Sequence, residues 1–168
     1  MVKKNNPSKD LRDEHDGILQ MLSVMQSMIK ELEAGKNLQE QHLGRVMEFL
    51  QNFADKCHHG KEEGILFPEI SDRSLVEELL KEHAEGRKFI AEIRSSSNIA
   101  ENMQGYINLL KIHIKKENEF LLPIANKLPK EKQDEMSEKF EILERDVIGQ
   151  GKHEEYHSWL KEFKEIYL

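Results

Sequence analysis

His58-His59-Gly60-Lys61-Glu62-Glu63-Gly64-Ile65-Leu66-Phe67-Pro68 has a counterpart further along the chain: His113-Ile114-Lys115-Lys116-Glu117-Asn118-Glu119-Phe120-Leu121-Leu122-Pro123. Aligned on the prolines, His58 matches His113, Lys61 matches Lys116 and Glu62 matches Glu117. Both segments are therefore His-x-x-x-Glu within a helical apolar period. Residues four apart lie one turn apart on the same helix face, so an imidazole and a carboxylate there can reach one metal centre or two adjacent ones. At about 100° of rotation per residue, His58 lies roughly 80° from Leu50 on the apolar stripe. His59 lies roughly opposite it. The inward pair is then His58 and Glu62, and His59 and Glu63 fall on the outer face. A register slip at Gly60 or Gly64 would exchange the two pairs.

The same period extends outward in both directions. A first helix runs from Ser8, an N-cap residue type, to Ala34, with Gly35 behind it as a stop. Its stripe is Leu11, His15, Ile18, Leu22, Met25, Ile29 and Leu32. A second begins near Leu38, where Asn37 and Glu40 have capping-box spacing, and ends or kinks at Pro68. Ser74 and Glu77 open a third, which carries Val76, Leu80, His83, Ile90 and Ile93. Asn98 and Glu101 open a fourth, which carries Tyr106, Leu110, His113, Glu117 and Phe120. Short connections make neighbouring helices antiparallel, so residues 8–126 are read as an all-α, up-down-up-down four-helix bundle. Residues 127–168 are a C-terminal helical extension packed on it. Two further helices there flank Gly149-Gln150-Gly151 and act as a lid or brace, being too small for a core of their own.

Helix rise fixes the level of each histidine. At about 1.5 Å per residue, His15 lies roughly 28 Å from the end of helix one and His58 roughly 30 Å from the start of helix two. Antiparallel neighbours therefore carry them at one level. The same reckoning brings His83 and His113 within about one turn of that level. Four helices thus carry His15, His58, Glu62, His83, His113 and Glu117 into one layer. Such groups cannot be buried without partners. Four imidazoles with two carboxylates suit one or two divalent first-row metals, not a Cys-rich zinc site or an all-oxygen Ca or Mg site. A pair of irons bridged by the glutamates would leave open positions for water or a diatomic ligand. Asp16, Tyr106 and Asn118 are candidates to orient the rings.

Composition narrows the rest. Against 25 Lys and Arg stand 32 Asp and Glu, a net charge of -7 that argues against nucleic acid as the partner. No apolar run is long enough to span a membrane, and Met1-Val2-Lys3-Lys4-Asn5-Asn6-Pro7 carries no secretory pattern. The single Cys57 excludes an internal disulfide and points to the cytoplasm; it is read as a small buried apolar residue. His42, His153 and His157 are read as surface residues, and Lys115-Lys116 as solvated charges.

The motifs Glu14-His15-Asp16, His58 to Glu62 with Leu66-Phe67-Pro68, Glu82-His83, and His113 to Glu117 with Leu121-Leu122-Pro123 together resemble the hemerythrin-like, HHE cation-binding domain family. The resemblance spans about residues 8–125. It implies a four-helix bundle around a non-heme di-iron centre, with the ligand role falling on His15, His58, Glu62, His83, His113 and Glu117. It also implies binding or sensing of oxygen, or reaction with nitric oxide or peroxide. Oxygen-carrying members have a fifth histidine one turn after the third-helix histidine, and here that position is Arg87. The chain is thereby closer to the four-His, two-Glu branch, and Glu141 or Glu144 is the tail's candidate replacement ligand. An alternative is an iron- or oxygen-sensing module whose C-terminal helices meet a protein partner. Enzymatic turnover is left open.

Overall fold

A computed structural model describes residues 6–95 and 97–168. Most of the N-terminal stretch on which the no-secretory-pattern expectation rests lies outside the described residues. Helix α1 is Pro7–Glu33. Helix α2, Glu40–Glu48, continues without a break through π-helical turns at Phe49–His59 and Glu62–Leu66 and a 3-10 turn at Phe67–Glu69. Helix α3 is Arg73–Ser95. Helix α4, Ile99–Lys116, continues through a π-helical turn at Glu117–Leu121 into α5, Leu122–Ala125. The last two helices are α6, Lys130–Val147, and α7, Lys152–Tyr167. The fold is all-α, a helical bundle with a C-terminal helical extension; among the described residues there is no strand. Nor is any described helix long and apolar enough to cross a membrane.

The helix ends depart from the expected caps. Asn6, not Ser8, caps α1, its side chain accepting from the Lys9 amide at 3.1 Å. Ser8 sits inside the first turn, and its hydroxyl donates to the Leu122 carbonyl at 3.3 Å. Asp72, not Ser74, caps α3 by accepting from the Leu75 amide at 3.1 Å. The amide and carboxylate side chains win because they stand just ahead of the first helical residue, on extended backbone in the case of Asn6, within reach of the first free amides. Gly35, Gly149 and Gly151 hold the left-handed backbone that the breaks require.

Two cores lie on either side of a polar layer. One contains Ile18, Met25, Phe49, Phe53, Ile107 and Leu110, and α7 completes it with Tyr156, Trp159, Leu160 and Phe163. The other contains Leu11, Leu66, Phe67, Val76, Leu79, Leu121 and Leu122, and α6 adds Met136 and Phe140. The methionines Met21, Met25, Met28 and Met47 belong to the first core as packing. Gly105 lets α3 and α4 approach: a Cβ there would meet the Phe89 ring at 2.3 Å.

Candidate metal centre

Between the cores the bundle buries titratable groups. His15, His58, His83, His113, Glu62 and Glu117 are each at most 1% exposed. Each comes from a helix already described: His15 from α1, His58 and Glu62 from the wide turns after α2, His83 from α3, His113 and Glu117 from α4 and its wide turn. The structure therefore brings all six of the residues singled out in the sequence into one layer. His15 Nε2 lies 2.9 Å from Glu117 Oε2. His58 Nε2 lies 3.0 Å from Glu62 Oε1, and His83 Nε2 lies 3.2 Å from Glu62 Oε2. His113 Nε2 lies 2.8 Å from Glu117 Oε1.

The outer nitrogens are held as firmly as the inner ones are gathered. His15 Nδ1 donates to Asn118 Oδ1 at 2.7 Å and His58 Nδ1 to Glu14 Oε1 at 3.0 Å. His83 Nδ1 donates to Glu63 Oε1 at 2.8 Å and His113 Nδ1 to Glu82 Oε2 at 2.6 Å. With each Nδ1 proton committed outward, the Nε2 lone pairs point inward, the arrangement a metal-ligating imidazole needs. His83 Nε2 and His113 Nε2 are 3.1 Å apart, and in the neutral rings a metal requires their lone pairs would face each other. Both oxygens of Glu62 and Oε1 of Glu117 are buried and make no hydrogen bond, because the short contacts to them are badly aligned. A cation in the layer relieves every one of these conflicts at once.

Charge tells the same story from the other direction. Burial works against protonation of His15, but Glu117 and Glu62 outweigh it and push its pKa up to about 10. Burial likewise opposes His83 and His113, yet Glu117, Glu62 and Glu63 raise the first to about 11, and Glu117 and Glu82 raise the second to about 9. Burial raises the carboxyls of Glu62 and Glu117, and the surrounding imidazoles more than reverse it, so both are held well below the ordinary carboxylate range. The two anions demand positive charge in a dry interior, and protons or metal ions can supply it.

Two groups of donors are close enough to hold an ion each. One is His15, His58, Glu62 and Glu117; the other is His59, Glu62, His83 and His113; within each, the donor atoms lie within 4.8 Å of one another. A family model, the hemerythrin HHE cation binding domain, matches residues 6–125. The chain belongs to the hemerythrin family. No curated protein and no solved structure gives a significant match. The hemerythrin domain is a cation-binding one, and the inward nitrogens and orphaned carboxylate oxygens of this chain fit that chemistry.

The site also corrects the sequence reading. His59 is 3% exposed, not on the outer face, and it stacks on His83 with ring centroids 3.8 Å apart. The π-helical turns explain this. At roughly 4.4 residues per turn, as i→i+5 bonding allows, His59 falls within about 20° of Leu50, and His58 within about 65° on the other side. Glu63 faces His83 instead of solvent. Of the expected orienting groups, Asn118 holds His15, but Asp16 is exposed and the Tyr106 hydroxyl makes no hydrogen bond. The actual holders Glu14 and Glu82 each precede a site histidine, a signal the sequence already contained.

Lys116 is no free surface charge: it pairs with Glu82 and, at 2.5 Å, with Glu78. His42 is buried and shares a 2.6 Å hydrogen bond with the Tyr167 hydroxyl. His153 is half-buried and donates to Glu144 at 2.6 Å, while His157 is exposed as expected. Cys57 is fully buried, and burial pushes its thiol up to about 12, which makes it an inert packing group. Neither Glu141 nor Glu144 joins a donor group.

Proposed function

We propose that this protein is a non-heme di-iron protein that binds or reacts with O2, NO or peroxide. The observation that carries the reading is the pair of four-donor groups sharing Glu62, with every orienting proton turned outward. His15, His58, His83, His113, Glu62 and Glu117 are the proposed ligands, with the carboxylates placed between the two groups. Mixed nitrogen and oxygen donors with no thiolate suit iron among the first-row metals. Bound there, two irons would supply redox electrons and open positions for a diatomic molecule or peroxide.

The chain's own residues do the rest. Glu14, Glu63, Glu82 and Asn118 fix each ring and keep its proton at Nδ1. The apolar cores on either side exclude water. The proposal places the protein in the cytoplasm, in keeping with its single buried thiol.

The test is metal analysis and optical spectroscopy of anaerobically iron-loaded, reduced protein, before and after O2, NO or peroxide. Two irons per chain are expected, with near-ultraviolet charge-transfer bands after oxygen. Fewer than two irons, or no spectral response to any of the three, refutes the reading. The rate of peroxide breakdown by the same sample decides whether the protein is an enzyme.

A second reading, a sensor that reports metal state through its tail, is favoured by one cavity. A space of about 420 Å³ between α1, the wide turns after α2 and the C-terminal helices is lined by Glu14, Lys61, Phe140, Glu144, His153 and Tyr156. Glu14 holds His58 with one oxygen and Lys61 with the other, so the site and the tail share a buried carboxylate. A protein partner would then read α6 and α7. Equal protease sensitivity of the tail in metal-free, ferrous and ferric protein refutes this.

A further inference from the structure

His59 is absent from the six ligands proposed above, yet the structure gives it a ligand's environment. Its Nε2 is buried and makes no hydrogen bond. Its Nδ1 donates to Asp55 Oδ1 at 3.3 Å, which fixes the tautomer with the lone pair on Nε2. Its ring stacks on His83 and lies edge-on to His113 at a centroid distance of 5.7 Å. Asp55 is itself clamped: Arg87 Nε donates to its two oxygens at 2.9 and 3.2 Å. The same guanidinium donates to Glu63 Oε1 at 2.6 Å, and Glu63 holds His83. One arginine thus organises the carboxylates behind two neighbouring imidazoles.

We propose that His59 is a seventh metal ligand, supplied by the π-helical segment Phe49–His59 and held in register by Asp55 and Arg87. The inference rests on the metal-site reading and deepens it. A buried imidazole with a free lone pair costs desolvation that a structural role would not repay, whereas a cation between Glu62, His83 and His113 takes that lone pair up. The donor groups are then unequal. One offers three imidazoles and a carboxylate, the other two imidazoles and two carboxylates. Asp55 and Arg87 are positioning residues: neither belongs to a donor group.

His59→Phe is the informative variant, because it keeps the ring stacked on His83 and removes only the donor. Metal-free wild type and variant would be titrated anaerobically with Co(II), with stoichiometry by mass spectrometry and coordination by the visible d–d bands. The wild type is expected to take two ions. The variant should bind one of them at least 10-fold more weakly, with altered band positions. Asp55→Ala should weaken the same ion, and adding it to His59→Phe should cost nothing more.

Two ions bound to His59→Phe with wild-type affinity and unchanged bands overturn the proposal. A wild type that binds a single ion refutes the dinuclear reading instead. His59 is then judged by that ion alone, with weaker binding in His59→Phe supporting it and equal binding overturning it. Circular dichroism of metal-free His59→Phe and Asp55→Ala confirms that each variant is folded.

Discussion

Lys61→Met is the perturbation whose cost follows most directly from the geometry. Lys61 and Glu14 are buried together, 5% and 6% exposed, with Nζ 2.7 Å from Oε2. Burial raises the Glu14 carboxyl, but His58 and Lys61 reverse it and bring its pKa to about 2. Methionine fills most of the lysine stem's volume beside the Phe140 ring, so cavity formation is a small part of the change. What remains is a buried carboxylate with one partner removed, which costs about 3–5 kcal/mol. At roughly 2.1 cal/mol/K per residue, the unfolding entropy of this chain is roughly 0.35 kcal/mol/K, so Tm should fall by ~9–14 °C.

The assay is thermal unfolding by circular dichroism on chelator-treated protein, which removes any contribution of bound metal. Glu14→Gln/Lys61→Met neutralises both partners and should recover more than half of the loss. The pH dependence has a definite sign. The folded-state pKa of Glu14 is depressed, so its contribution is full above about 4.5 and is lost as pH falls towards about 2. In Lys61→Met the folded-state pKa of Glu14 rises, so the contribution is smaller and its loss is complete at a higher pH. A Tm within ~3 °C of wild type, or a double variant less stable than the single one, refutes the reasoning.

Three further outcomes follow from the same contacts. Glu62 is common to both donor groups, so Glu62→Ala should abolish binding of both ions, whereas His58→Ala should spare one; metal analysis after dialysis distinguishes them. Glu82→Gln keeps the shape but weakens the hold on His113 Nδ1, and metal affinity should fall about 10–100-fold in a competition titration with a chromophoric chelator. Gly105→Val forces the Phe89 ring away from α4 and should cost about 1–3 kcal/mol by urea unfolding, with metal stoichiometry unchanged.

The sequence was most legible where the helices keep the ordinary α period. In α1, α3 and α4 that period turned the right faces inward, so His15, His83 and His113 were identified together with their level. It failed at Phe49–His59, where the wider turn accumulates over the whole segment. Nothing in that stretch announces i→i+5 bonding, and an error of about 20° per residue sends His59 to the wrong side within two turns. The ring-holding carboxylates were missed for another reason. Glu14 and Glu82 each lie about 100° round the helix from a site histidine, at the seam with the neighbouring helix, and not on the inner stripe. An inner stripe separates only surface from core, and the seam is where a charged group can be buried and still find a partner. The caps show the same weakness locally: Ser8 and Ser74 are cap residue types, yet Asn6 and Asp72 hold the first free amides.

The two halves of the site are copies of one plan, and the copy is imperfect at an informative place. Glu14 holds His58 and Lys61 as Glu82 holds His113 and Lys116. Glu63 holds His83 as its counterpart Asn118 holds His15. Glu62 and Glu117 each open a π-helical turn that ends at a leucine before the proline. The plan breaks where His59 stands opposite Ile114 in the alignment, and where an anionic Glu63 replaces a neutral Asn118. Only the first half has the long π-helical run that turns His59 inward; α4 is ordinary α-helix as far as Lys116. Both departures favour the same donor group. A third imidazole supplies a nitrogen donor where the other group has a second carboxylate, and a carboxylate behind His83 makes that ring a stronger donor than an amide behind His15 can. On the proposed ligand set, the group containing His59 therefore fills first. His59→Phe should bring the two affinities together without equalising them, because Glu63 and Asn118 still differ. Stepwise Co(II) titration would reverse this argument if the first ion's affinity and bands were unchanged in His59→Phe while the second ion was lost.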